Sequence, residues 1–297
     1  EAILREMIEA DDSDLWALGE LTLVRERAGD FKEVYSLLVR QAELTLEADK
    51  VKAVRHRAAE VAKDKLADDA AAIELYDTIF EDDPDDKKAA DALRQLYAKT
   101  GRHKDLLSLL SRLVDMADSP AARSTLRLES AQICLEKLDS VAEATEHLRA
   151  ILDEEPGDAK ATELLAQLYE KTGRDDDLAN LFSQQIDLAK ERSDVASELS
   201  YSVKLGEVYE VRLNDTKKAI DTYLSVLERD AKHKGALFAL ARLYEHRNEK
   251  PEAAKMLETY LGEVSGDEAV KTALRLADLY GTLKDEAATR KALERGL

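Results

Sequence analysis

Apolar positions in this chain of 297 residues recur at spacings of three and four rather than two, the period of one face of an α-helix. Residues 158–190 show the pattern plainly. Ala161, Leu164, Leu165, Leu168 and Tyr169 form one stripe, and after Asp175 a second stripe holds Leu178, Leu181, Phe182, Gln185 and Leu188. Gly173 lies between them, a residue that takes the left-handed backbone of a helix end without strain. The segment therefore predicts two helices joined by a tight turn. Neither could bury its stripe alone, so each pair must pack on itself and on the next pair.

The pattern repeats. Leu96-Tyr97-Ala98-Lys99-Thr100-Gly101-Arg102 returns as Leu168-Tyr169-Glu170-Lys171-Thr172-Gly173-Arg174, 72 residues later. The same offset relates Ala59 to Ala131, Lys65-Leu66 to Lys137-Leu138, Pro84 to Pro156 and Asp105-Leu106 to Asp177-Leu178. Leu243-Tyr244 follows after 75 residues and Leu279-Tyr280 only 36 after that, so the long period is two unequal short ones. These periods predict helix pairs over 13–48, 50–83, 86–117, 121–154, 158–190, 195–230, 232–262 and 266–297. A lone helix over 1–10 precedes them, expected to be the last helix of a truncated upstream repeat. No Ser/Gly/Pro-rich linker intervenes, so 11–297 is expected to form one continuous solenoid. The stripe Ile3, Leu4, Met7 and Ile8 is expected to leave an apolar end open to end-to-end self-association.

Composition narrows the classes further. Eleven Gly and four Pro are too few for a turn-rich all-β fold. No apolar run reaches the roughly 18 to 20 residues that cross a bilayer, and the first 20 residues carry no basic-then-apolar leader, which makes the cytoplasm the expected location. Against 63 Asp and Glu stand 44 Lys and Arg, a net charge of −19, with no basic cluster to neutralise phosphates, so nucleic acid is excluded as a partner.

Motifs that carry chemistry are missing. There is no glycine-rich phosphate loop, no nucleophile elbow and no H-E-x-x-H. His56 with Glu60 and Glu143 with His147 have ligand-like spacing of four, but a surface hydrogen bond along one helix explains each. The run Glu81-Asp82-Asp83-Pro84-Asp85-Asp86 lacks the Gly and Glu of a calcium loop; Pro84 breaks one helix and the two following aspartates cap the next. Cys134, the single cysteine, falls on a stripe and reads as a small buried hydrophobe. Tyr97, Tyr169, Tyr209, Tyr244 and Tyr280 recur at one packing position and read as core.

These residues resemble the tetratricopeptide repeat family, whose helix pairs of about 34 residues carry a large, small and aromatic spacing in the first helix. Ala131, Ala144 and Pro156 fit two small-residue positions and the closing proline. Leu165-Ala166 with Tyr169, and Leu240-Ala241 with Tyr244, match the first helix. The family's aromatic opening is mostly missing, since Trp16 is the only Trp. Alternate units are stretched, and both spacing and composition have a bacterial character.

The resemblance implies an all-α fold, a right-handed α-solenoid of about eight antiparallel helix pairs. It also implies that one side of the first helices lines a concave groove. The column on that side reads Glu60, Gln95, Gln132, Gln167, Glu207, Arg242 and Asp278, with Arg57, Lys204 and Arg275 beside it. Three Gln offer donors and acceptors to a peptide backbone. The Lys, Asn and Arg clamp with which some family members hold a C-terminal carboxylate is not matched. The implied function is a non-enzymatic interaction scaffold, without cofactor or metal, for a protein or peptide that the net charge would favour being basic. Two alternatives are a self-assembling array working through its ends, and the solenoid portion of a larger protein whose activity lies elsewhere.

Overall fold

The computed structural model describes residues 1–296, and the chain divides into two compact units, Glu1–Ser140 and Val141–Leu297. The first holds α1 (Ala2–Ala10), α2 (Leu15–Ala28), α3 (Phe31–Leu44), α4 (Ala48–Asp64), α5 (Asp69–Asp82), α6 (Lys87–Thr100), α7 (His103–Met116) and α8 (Pro120–Lys137). The second holds α9 (Val141–Glu154), α10 (Ala159–Thr172), α11 (Asp175–Glu191) and α12 (Val195–Glu207), which runs into a π-helical turn over Val208–Arg212. It continues with α13 (Thr216–Arg229), α14 (Lys234–His246), α15 (Lys250–Leu261), α16 (Asp267–Thr282) and α17 (Glu286–Arg295). There is no strand among the described residues, and each segment that the periodicity marked as a pair holds two helices. The fold is all-α, and none of these helices is long and apolar enough to cross a membrane.

Within each unit the helices pack on their neighbours in the chain. In the first unit Tyr76, Phe80, Leu93, Leu96 and Leu110 form the centre of the core. In the second, Tyr223 and Leu240 anchor one cluster, and Leu257 and Leu276 the next. Cys134 is fully buried, as its place on the stripe required. Side-chain caps start most helices: Asp30, Asp68, Asp86, Asp158, Asp194 and Asp215 each accept a hydrogen bond from an amide in the first turn.

Two kinds of turn alternate inside the helix pairs from α2 to α13, and they account for the unequal half-periods. After α2, α6 and α10 a glycine follows at once in the left-handed conformation: Gly29, Gly101 and Gly173, spaced 72 residues apart. The next amide reaches back five residues, as Arg102 N–H does to the Tyr97 carbonyl at 2.9 Å. After α4, α8 and the π-turn the loop is wider. There Asp68, Ser140 and Asp215 N–H reach back six residues, to the carbonyls of Ala62, Cys134 and Tyr209 at 2.9, 2.8 and 2.8 Å. The left-handed residues of this wider turn are Ala67, Asp139 and Asn214, each preceded by a leucine. The first helices that enter it are long, 17 residues in α4 and 18 in α8, against 14 in α2, α6 and α10.

Two expectations need correction. The apolar stripe of α1 is covered in part: Leu4 and Ile8 pack against Leu18, Leu21 and Leu37. Arg5 and Arg25, each paired with both Glu1 and Glu33, tie the helix down. Leu4, Met7 and Ile8 are half-buried, and Ile3 is 71% exposed. Nor does His56 pair with Glu60. Its Nε2 lies 2.9 Å from the carboxylate of Asp86, the cap of α6, while Glu60 takes Lys88 at 2.6 Å. Both partners come from α6, the first helix of the following pair.

Three glycine and alanine exchanges test this packing. Gly206 sits in α12, where an added Cβ would lie 2.6 Å from a Tyr223 ring carbon, so Gly206→Ala should cost about 1–3 kcal/mol by overpacking. Gly101 has open space but φ +72°, and Gly101→Ala should cost about 1 kcal/mol by backbone strain alone. Ala67 has φ +52°, and Ala67→Gly should stabilise by about 0.5 kcal/mol. Urea midpoints of the three variants should fall in that order.

A further expectation concerns acid. Burial alone would raise the Asp86 carboxyl, but the hydrogen bonds from His56 and the Ala89 amide, with Lys52 nearby, outweigh it and hold it below its ordinary 3.8. A carboxyl depressed in the folded state adds stability that is present above pH 3.8 and is lost as pH falls through and below it. Asp86→Asn keeps a capping side chain and removes the charge. The variant should be less stable at pH 7, and its stability should decline less than that of the parent between pH 5 and about 3, by urea denaturation.

Candidate functional site

In the second unit α10, the α12 segment with its π-turn, and α14 enclose an open cavity of about 870 Å³. Capping by Asp158, 2.7 Å from the Ala161 amide, and by Asp194, 3.1 Å from the Ser197 amide, fixes where α10 and α12 begin. Four members of the sequence column meet in the cavity: Gln167, Lys204, Glu207 and Arg242. Ala166, Phe182, Tyr201, Val208 and Val211 supply its apolar wall, and Glu163 and Glu170 two more carboxylates.

The π-turn shapes one side. Its Leu213 amide donates to the Val208 carbonyl at 3.0 Å, five residues back, so one residue more than usual is wound into the turn. Val211 is thereby carried to the surface, 68% exposed. Charge pairs hold the turn from both sides. Arg242 of α14 donates to Glu210 at 2.5 Å, and Arg212 donates to the Asp175 carboxylate at 3.2 Å and the Glu170 carbonyl at 3.4 Å. Three consecutive helix pairs are thus tied at this one segment.

The same cavity holds an aromatic pair, an aromatic shelf contributed by α11 and α12. The Phe182 and Tyr201 rings stand 6.0 Å apart at 31°, with the Lys204 ammonium 5.8 and 5.5 Å from their centroids. Burial, with Asp194 nearby, raises the Tyr201 hydroxyl above its ordinary pKa, so the ring stays neutral. Arg212 and Arg242 have carboxylate partners, whereas Lys204 and Glu207 have no ion pair among the described residues. The cavity thus presents Glu163, Glu170 and Glu207 against a single uncommitted ammonium.

The remaining column residues serve other ends. In the first unit Arg57 donates to Glu26 at 2.5 Å, and Glu60 holds Lys88, each linking the first helix of one pair to the first helix of the next. Arg275 grips Glu245 with two hydrogen bonds of 2.8 Å, and Arg94 reaches Glu129 at 2.5 Å in the same way. Gln132 donates to Glu136 on its own helix at 2.8 Å, and Gln167 to Glu163 at 3.3 Å. Gln95 and Asp278 are exposed without a hydrogen bond or ion pair among the described residues. Sequence reasoning missed the partners Glu26, Lys88, Glu210 and Glu245 because each lies about one helix pair away. A Glu followed by an Arg or Lys 28 to 32 residues later is the signal that would have found them.

Tetratricopeptide repeat family models match residues 161–196 and 211–277. No curated protein matches the sequence. Among solved structures, a tetratricopeptide repeat protein from Parabacteroides merdae is 14% identical with a TM-score of 0.34, over 88% of this chain and 98% of its own. The C-terminal part of a repeat protein from Cytophaga hutchinsonii is 14% identical with a TM-score of 0.46, over 82% and 94%. A complex of Naa15 and Naa10 bound to HypK is 13% identical with a TM-score of 0.43; the match spans 99% of this chain and 59% of that one. Superpositions so loose bear on neither function nor partner, and the family rests on the matched repeats and on the helix pairs that bear them. Residues 161–196 and 211–277 thus match tetratricopeptide repeats, and the helices they span are paired as in those repeats.

Proposed function

We propose that the chain is a non-enzymatic scaffold that holds a segment of a partner protein in the cavity between α10, α12 and α14. Tetratricopeptide repeats in general mediate protein–protein interaction, and the present site has what an extended or helical segment needs. The observation that carries the reading is the convergence, in one cavity of about 870 Å³, of the exposed Val211, the aromatic shelf and the amide of Gln167. An apolar surface with a few placed polar groups is the common composition of a recognition site. The Gln167 bond to Glu163, 3.3 Å long and exposed, is easily exchanged for one to a peptide backbone.

A displayed peptide library panned on the purified chain tests this. Binders selected on the parent should lose about tenfold in affinity for the Val211→Asp, Gln167→Ala double variant, with an unchanged helical spectrum. Binders indifferent to both changes would place the interaction surface elsewhere on the molecule.

A further inference from the structure

We infer that the cavity recognises a lysine or arginine side chain of the partner, and that Lys204 is the chain's own occupant of that position until the partner displaces it. The inference rests on reading the cavity as a binding groove. Two aromatic rings 6.0 Å apart, at 31°, present faces whose quadrupole attracts a cation, and the Lys204 ammonium already lies within 6 Å of both centroids. Nothing else holds it there. The residue is exposed, has no ion pair among the described residues, and sits on a flexible four-carbon stem that can swing into water.

Charge in the cavity favours the exchange. Arg212 and Arg242 are neutralised by Asp175 and Glu210, so they do not repel an incoming cation. Glu163, Glu170 and Glu207 line the same space without a cationic partner. A cation carried in on a partner meets the two rings and these carboxylates, none of which is paired with Lys204 among the described residues. An acidic side chain would instead approach three like charges.

The test is an NMR titration that reads the ring signals of Phe182 and Tyr201. The probes are acetyl-Ala-Lys-Ala-amide and its Glu counterpart, and the proteins are the parent chain and Lys204→Met, which keeps the stem and removes the charge. The Lys probe should shift the rings of the parent and bind Lys204→Met about two- to fivefold more tightly, the effect of removing one competing exposed cation–π contact. Binding should weaken in Glu163→Gln with Glu207→Gln, and the Glu probe should shift nothing. Amide spectra establish that the variants stay folded.

A Lys204→Met variant that binds the Lys probe more weakly, or rings that neither probe shifts, would overturn the inference. So would a Glu probe that binds the parent and not Lys204→Met, since Lys204 would then be an anchor for acidic partners. Library binders that depend on Val211 and Gln167 would leave the groove standing in each of these cases and remove only the exchange of cations.

Discussion

Every helix here has one apolar face and only its neighbours in the chain on which to bury it. That constraint governs the rest of the structure. With no sheet among the described residues, the core of each unit is a succession of clusters in which a helix contributes to the pair before and to the pair after. The orientation of each helix is therefore set locally by the turn that leads into it. Inside the helix pairs from α2 to α13 two turns alternate, one reaching back five residues through a left-handed glycine and one reaching back six through Ala67, Asp139 or Asn214. Their alternation gives the 72-residue period its two unequal halves.

Packing that reaches only to neighbours leaves one side of each first helix to be stabilised by surface charge. Arg57 with Glu26, Lys88 with Glu60, Arg94 with Glu129 and Arg275 with Glu245 span that gap, each joining successive first helices. Single pairs of this exposed kind contribute about 0.2–1 kcal/mol, so they set the register between repeats more than they hold the fold. They also decide which residues of the column remain available. Most charged members are spent within the chain, and those left are few.

The candidate site lies where this regular arrangement is interrupted. At the end of α12 an extra residue enters the helix, and Arg212 and Arg242, at the edge of the cavity, fix the turn against its neighbours through Asp175 and Glu210. Beneath it Gly206 lets Tyr223 approach to a distance that no side chain would permit. The consequence is an exposed Val211, an aromatic pair with an ammonium over it, and a lysine without an ionic partner among the described residues. A site of this composition selects by charge and by stacking, and it owes its shape to the turn rather than to any single contact in it.

Much of the fold was legible in the residues. The three-and-four spacing located the helices, and the recurring Leu-Tyr with Gly101 and Gly173 marked the narrow turns, because both burial and left-handed backbone demand particular residue types at particular spacings. The wider turn left no such mark, since Ala67, Asp139 and Asn214 share a conformation and not a chemistry. The column of candidate residues could be read as a face, but not sorted into those that clip repeats together and those that stay free. Glu26 and Arg57, or Glu245 and Arg275, lie about thirty residues apart and meet only because consecutive first helices stack. Periodicity along a chain is a local property, fixed by the residues themselves. Which charge meets which, where a helix takes in an extra residue and which aromatic rings come to face one cavity depend on distances between helices, and only the folded packing sets those.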